Sequence, residues 1–380
     1  MKQGEHSGRQ RFGDARRVVV KIGSGVLADQ GVFRGSVLER LAEEIGALWG
    51  QGIEVVVVSS GAVALGVQAL KLAGRPRDMA SKQAAAAVGQ ARLANRWSRA
   101  FADQERLVGQ VLLTHADLHS RTRYLTARHT LQRLLAQGVV PIINENDSVA
   151  VEEIKLGDND LLAALVTGLV GADLLVLLTD IDGLYDADPR SVPEARRLLE
   201  VEAGDPRLKG WARGSGTAVG TGGMATKVRA AAMAAQLGVP SVIAPGGAPG
   251  ALAALLRGEE IGTLVRPGEG APLSPRKSWL AHATRPKGRV VVDEGARRAL
   301  TREGRSLLPS GVVAVEGRFE EGEPVEVAGP DGAVFAVGLA AYGAGDVARL
   351  AGRRTSEIAE ILGASGLDEI IHRDDLVLMA

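Results

Sequence analysis

The chain has 380 residues, 46% of them hydrophobic, with 45 basic and 45 acidic residues and no cysteine. A chain this long can bury a large core and is expected to form two domains. A net charge of zero gives no global field for nucleic acid or anionic membrane, and the missing cysteines exclude disulfides, thiol nucleophiles and thiolate metal sites. The N-terminal residues lack the apolar core of a signal peptide. The most apolar stretch, Leu161–Leu178, is interrupted by Asp173, which leaves runs too short to span a bilayer. A soluble, cytoplasmic protein without membrane contact is expected.

Arg16–Val20 reads as a first strand, followed by Lys21, Ile22, Gly23, Ser24 and Gly25. Glycines after a strand let backbone amides approach an anion. Lys21 stands out because only nine of the basic residues are lysine, and a phosphate contact is the expected role. Ser36–Trp49 is predicted as a helix opened by a Ser36/Glu39 capping box. A second strand, Ile53–Val58, runs into Ser59, Ser60 and Gly61. A dinucleotide-binding Rossmann strand ends in an acid that holds ribose hydroxyls, so a nicotinamide enzyme is disfavoured.

Long helices are predicted over Arg75–Asp103 and Ser120–Gln137. His115 and His119 have zinc-like spacing, but no third ligand stands nearby and a surface turn is expected. The stretch Val139–Val170 then carries the most information. A buried β-branched strand ends in Asn144, Glu145, Asn146 and Asp147, and a second polar cluster, Gly157–Asp160, precedes an apolar helix from Leu161 to Val170. Two polar clusters delivered to the carboxyl edge of a sheet suit a small polar substrate. Capping accounts for one of Asp158 and Asn159 and leaves the other cluster unexplained.

Leu174–Leu178 is a further buried strand ending at Thr179 and Asp180. Thr221, Gly222, Gly223, Met224, Ala225, Thr226 and Lys227 lead directly into the helix Val228–Leu237. Glycines before a helix N-terminus form a polyphosphate site, and a lysine in the first turn opposes the helix dipole, so function is the better explanation for Lys227. Pro240–Ala244 and Gly250–Arg257 complete a series of strand–loop–helix units, which implies a mostly parallel sheet covered on both faces. The texture changes to Pro, Gly, Arg and Lys around 266–287. Short strands follow (Arg289–Val292, Val312–Val315, Pro324–Val327, Val334–Gly338), with a helix near Glu294–Arg302, as in a small β barrel or sandwich. The expected division is residues 1–270, a linker at 271–287, and a β-rich domain at 288–380.

The motifs VVVKIGSG (Val18–Gly25), SSGAV (Ser59–Val63), INENDSV (Ile143–Val149), IKLGDND (Ile154–Asp160), LLTDIDGLY (Leu177–Tyr185) and GTGGMATK (Gly220–Lys227) together resemble the amino-acid kinase superfamily, and within it the glutamate 5-kinase family. VVDEGA (Val291–Ala296) and LLPSGV (Leu307–Val312) resemble the PUA domain appended to the bacterial members. The resemblance implies an α/β three-layer sandwich around a mostly parallel sheet, plus a small PUA-like barrel. It implies transfer of the ATP γ-phosphoryl group to the side-chain carboxylate of L-glutamate, the first step of proline biosynthesis. Carried over residue by residue, Lys21 contacts the ATP phosphates, Ser60, Asp147 and Asn159 bind glutamate, and Thr179, Asp180 and Thr221–Lys227 bind nucleotide.

A carboxylate is already an anionic nucleophile, so this chemistry requires positioning and charge neutralisation rather than a base. Lys21, Lys227 and Mg²⁺ on the phosphates are expected to supply them, with Asp160 orienting both lysines; no residue is assigned as a direct metal ligand. The resemblance further implies L-proline feedback, the lability of an acyl phosphate in water points to a separate glutamyl-phosphate reductase as partner, and assembly of identical subunits is expected. The alternatives are a kinase acting on acetylglutamate, aspartate or a nucleotide monophosphate, and an RNA-binding protein acting through the tail. From Lys287 onward 11 Lys and Arg face 16 Asp and Glu, which argues against RNA.

Overall fold

The computed structural model describes residues 8–29, 31–149, 159–187, 189, 192–206, 208, 223–268, 272–282, 284–363 and 367–379. They divide into two compact units, Met1–Pro272 and Leu273–Ala380. In the first unit, ten strands follow in chain order. They are β1 (Arg17–Ile22), β2 (Ala28–Asp29), β3 (Val32–Phe33), β4 (Glu54–Ser59), β5 (Val108–Leu113), β6 (Val140–Glu145), β7 (Leu174–Thr179), β8 (Glu200–Glu202), β9 (Ser241–Pro245) and β10 (Thr263–Arg266). Eight of them form one sheet in the order β5-β6-β4-β1-β7-β9-β10-β8, and β2 with β3 makes a separate small hairpin. The run from β5 to β9 is parallel throughout, while β10 runs antiparallel to β9 and parallel to β8.

The helices of this unit are α1 (Ser24–Leu27), α2 (Gly35–Gly50), α3 (Ala62–Ala69), α4 (Met79–Ala102), α5 (His115–His119), α6 (Arg121–Ala136), α7 (Asn159–Val170), α8 (Met224–Gln236) and α9 (Ala251–Leu256). Strand alternation sorts them into layers. On one face, Val18, Val20 and Ile22 of β1 join a core with Leu38, Leu41 and Ile45 of α2, Leu93 and Trp97 of α4, and Leu252 and Leu255 of α9. The alternate positions, Val19 and Lys21, belong to the opposite face, where α7 packs on β1 and also against α6 and α8. Burial on both faces explains why β1, β6 and β7 are near-continuous apolar runs.

Helix starts differ from the sequence reading, and α8 opens at Met224 rather than Val228. The Ser36/Glu39 capping box does not form, because α2 begins at Gly35 with Arg34 as its N-cap. The long helix opens at Met79 rather than Arg75, and there Asp78 accepts a 2.8 Å bond from the Ser81 amide. Among the described residues no helix is long and apolar enough to cross a membrane.

The second unit contains β11 (Gly288–Val292), β12 (Val312–Gly317), β13 (Pro324–Ala328), β14 (Val334–Leu339) and β15 (Leu376–Leu378). Their order is β12-β11-β13-β14-β15, with β11 and β13 parallel and the other pairs antiparallel. Val290, Val292, Val325, Val327, Ala336, Ile370 and Ile371 form its core. Pro275–His282, within the stretch read as linker, is a helix that packs on β14 and β15.

Candidate functional site

The carboxyl ends of β1, β4, β6 and β7 lie side by side, and there the chain delivers its polar residues. Lys21 is the penultimate residue of β1 and is only 4% exposed. Its parity turns it away from the Val18–Ile22 core and toward α7. There Nζ lies 2.6 Å from Oδ1 of Asp160, which is fully buried. Lys227, in the first turn of α8, donates to Oδ2 of the same carboxylate at 3.1 Å. The Thr226 hydroxyl lies within reach of Asp160 Oδ2 at 2.9 Å and of the Gly223 carbonyl at 2.7 Å.

An isolated buried carboxylate is costly. Burial opposes the charge on Asp160, but the Lys21 and Lys227 ammonium groups outweigh it and hold the carboxyl below the usual carboxylate range. The result is one anion holding two cations at the edge of the sheet. It neutralises half of their charge and leaves the net positive field that a polyphosphate needs.

The neighbouring residue faces a different set of partners. Asn159 Nδ2 donates to Ser60 Oγ at 2.8 Å and to Asn144 Oδ1 at 3.0 Å. Asn144, at the end of β6, in turn donates through Nδ2 to Gln90 Oε1 on α4 at 2.7 Å. Asn159 Oδ1 is buried and has no partner among the described residues. Ser60 follows β4, where Gly61 adopts φ +112° to start α3; the tight turn presents the Ser60 side chain at the sheet edge. Ser59 is otherwise employed: it is fully buried, accepts from Trp97 Nε1 at 3.0 Å and donates to the Ser60 carbonyl. Asp147 lies just beyond β6, where burial pushes its carboxyl up and the Arg75 charge opposes that shift.

On the other side of β1, Thr179 ends β7 and donates to Asp180 Oδ1 at 2.9 Å. Asp180 stands close against Gly25, where an added Cβ would lie 3.2 Å from its carboxylate. At Gly23 an added Cβ would meet the Leu178 carbonyl at 3.2 Å and Lys21 Nζ at 3.5 Å. Gly23 also ties β1 to β7, its amide donating to the Leu178 carbonyl at 3.0 Å. A side chain at Gly23 would thus crowd the Leu178 carbonyl and Lys21, and one at Gly25 would crowd the Asp180 carboxylate.

Gly223 is the N-cap of α8, and Met224, Ala225, Thr226 and Lys227 are its first turn. Thr221, Gly222 and the segment 150–158, including Asp158, lie outside the described residues. The structure therefore brings together Lys21, Asp160, Thr226 and Lys227 in one cluster and Ser60 and Asn159 in an adjoining one.

His115 and His119 open and close the five-residue α5. The intervening Asp117 is taken by the capping box with Thr114 and by an ion pair with Arg123. Among the described residues no group of three or more His, Asp or Glu could hold a metal ion. One residue in the amide chain escaped the sequence reading. Gln90 sits inside an alanine-rich helix, and its only signal is an isolated amide among small apolar residues.

Residues 16–245 match the sequence model of the amino acid kinase family, and residues 288–362 match that of the PUA domain. A glutamate 5-kinase of Myxococcus xanthus (strain DK1622) is 52% identical over 375 residues, covering 98% of this chain and 99% of its own. A glutamate 5-kinase of Pelobacter propionicus (strain DSM 2379) is 52% identical over 372 residues, covering 98% and 100%. A third, from Geobacter sp. (strain M21), is 52% identical over 365 residues, covering 96% and 98%.

Proposed function

Because this chain belongs to the amino acid kinase family, on its glutamate 5-kinase branch, we propose that it phosphorylates the side-chain carboxylate of L-glutamate with ATP. The observation that carries the reading is the start of α7. Two consecutive residues face two different chemistries, Asn159 toward the amide and hydroxyl cluster and Asp160 toward the two lysines. An acceptor substrate held by the first and a phosphoryl donor held by the second meet across one residue of chain.

The reaction follows from that juxtaposition. A glutamate carboxylate oxygen attacks the γ-phosphorus, the new O–P bond forms, and the bond to the bridging oxygen breaks, leaving ADP and L-glutamyl 5-phosphate. The nucleophile arrives ionised, so no residue has to remove a proton. Lys21 and Lys227 neutralise charge on the phosphoryl oxygens, and Asp160 keeps both ammonium groups in place before ATP arrives. The α8 N-terminus adds backbone N–H groups of the same sign. Mg²⁺ would ride on the phosphates. Such a hard cation keeps several waters and needs few protein ligands, which fits a site where Asp160 is already occupied by lysines while Asp180 remains exposed.

The substrate end has a matching polarity. Asn159 Oδ1 is a buried acceptor that needs a donor, and the ammonium of a free amino acid supplies one. The Asp147 carboxylate adds negative charge for that ammonium. The Ser60 hydroxyl accepts from Asn159, so its own hydrogen can go to a substrate carboxylate. We extend the reading to L-proline as a competitor for the same site, to a reductase that consumes the labile acyl phosphate, and to a cytoplasmic assembly of identical subunits. The test is ADP release with L-glutamate, N-acetylglutamate, L-aspartate and UMP as acceptors, with hydroxylamine to trap an acyl phosphate. L-Glutamate alone should turn over efficiently and yield a hydroxamate. Equal turnover of N-acetylglutamate, which lacks the ammonium, would sink the assignment.

A further inference from the structure

Gln90 lies outside the set of residues assigned to chemistry, yet it ends the hydrogen-bond chain that leads to the substrate cluster. We infer that Gln90 is a positioning residue for substrate recognition, acting through Asn144 on the orientation of Asn159; this rests on the glutamate kinase reading above. A carboxamide has one accepting end and one donating end, and either can point either way. The choice is made by the partners. Gln90 Oε1 accepts from Asn144 Nδ2 at 2.7 Å, so the other end of the Asn144 amide, Oδ1, must face Asn159. Oδ1 can only accept, so Asn159 presents Nδ2 to it at 3.0 Å and to Ser60 Oγ at 2.8 Å.

The last consequence reaches the substrate. With Nδ2 committed twice, Asn159 Oδ1 is the atom left over, buried and unpartnered among the described residues. The Gln90 acceptor on α4 thereby favours a site that offers an acceptor, suited to an ammonium, rather than a donor. Without Gln90 the Asn144 amide can turn over, Asn159 can follow, and the acceptor is lost for a fraction of the population. Weakened ground-state and transition-state binding by equal amounts raises KM and spares kcat.

The experiment compares wild-type protein with Gln90→Met, which keeps the volume but removes the acceptor, and Gln90→Glu, which restores an acceptor for Asn144 Nδ2. Steady-state KM and kcat are measured for L-glutamate, for ATP and for glutarate, which has both carboxylates and no ammonium. Gln90→Met should raise KM for L-glutamate about tenfold or more, a loss of about 1.4 kcal/mol, while kcat and KM for ATP move less than about threefold. Glutarate should lose little, and Gln90→Glu should recover most of the L-glutamate affinity. Where the methionine variant does not fold by circular dichroism, Gln90→Ala takes its place. An unchanged KM for L-glutamate, a parallel rise in both KM values, or a glutamate variant as impaired as the methionine one overturns the inference and leaves the kinase reading intact. Wild-type protein that fails to phosphorylate L-glutamate overturns the kinase reading and this inference with it.

Discussion

Lys227 and Asp160, 67 residues apart in sequence, share a hydrogen bond that is almost wholly shielded from water. Lys21 occupies the other oxygen of the same carboxylate, so the two cations are held near each other by one anion. This arrangement costs desolvation of all three groups. Fold stability alone is served better by apolar residues, and the proposed binding of phosphate charge accounts for the three.

Replacement of either lysine by alanine is expected to lower kcat by more than about tenfold, since a charge contact made in the transition state exceeds about 1.4 kcal/mol. Circular dichroism establishes that each variant is folded before kinetics are compared. Near-wild-type kcat in a folded Lys21→Ala or Lys227→Ala protein would remove that lysine from the mechanism.

Asp160→Asn leaves two buried ammonium groups without their counterion, and a loss on the order of 3–5 kcal/mol is expected at pH 7. The pH dependence has a definite sign. The carboxyl of Asp160 is held below its unfolded value by the lysines, against burial. Its contribution is present above the unfolded value, about 3.9, and is lost as pH falls through the lower folded value. Urea unfolding of wild type and variant between pH 7 and pH 3 should show the gap narrowing only at the acid end. A constant gap would mean that the ionised pair does not stabilise the fold.

Asp147 should behave in the opposite way. Burial raises its carboxyl above the unfolded value, with Arg75 opposing. Its stabilising effect is therefore present below the unfolded value and lost as pH rises through the folded one. Asp147→Asn is expected to melt at a higher temperature than wild type at pH 7, with the difference vanishing near pH 3. The same variant should raise KM for L-glutamate about tenfold or more if the carboxylate meets the substrate ammonium. A lower melting temperature at pH 7, or an unchanged KM, would contradict one half or the other.

The α3–α4 crossing depends on two glycines. A Cβ at Gly89 would stand 1.7 Å from the Ala62 carbonyl oxygen, and one at Gly66 equally close to that of Ala85. Backbone cannot step aside as a side chain can, so Gly89→Ala is expected to cost about 1–3 kcal/mol or more. It should also raise KM for L-glutamate, because α3 follows Ser60 directly and α4 carries Gln90. Guanidinium denaturation alongside kinetics checks both effects, and a variant with wild-type stability would show that the crossing tolerates separation.

All the residues assigned to chemistry precede Val228, within the Met1–Pro272 unit. A chain ending at Pro272 is expected to retain ADP release with L-glutamate. The isolated Leu273–Ala380 unit should show no salt-sensitive RNA binding in a filter assay, given its excess of acidic residues. A folded but inactive truncated chain would assign the second unit a part in catalysis.

Much of this architecture was legible in the chain itself. Two-sided burial writes β1, β6 and β7 as near-continuous β-branched and leucine runs, and the small β-rich unit shows its short strands between Gly and Pro turns. The β5 strand was not legible. Gly109 and Gln110 interrupt its apolar run and it is only partly buried, so neither period stands out. The short β10 strand was hidden in the same way by the Pro- and Gly-rich stretch that follows it.

Residue type and local spacing alone determine the polar ends of the strands, the glycines beside Lys21, and the misplaced-looking lysine at the start of α8. These are local signals, because a strand terminus or a helix first turn has its own chemistry whatever packs around it. Which of those groups meet was decided by the tertiary structure. Sheet order sets β1 between β4 and β7, strand parity turns Lys21 toward α7, and the packing of α7 against α8 brings Asp160 to Lys227. The direction of the amide chain from Gln90 to Ser60 likewise depends on partners drawn from α4, β6, α7 and the turn after β4. A carboxamide reads the same in sequence whichever end it presents, and only its neighbours in space choose between donor and acceptor.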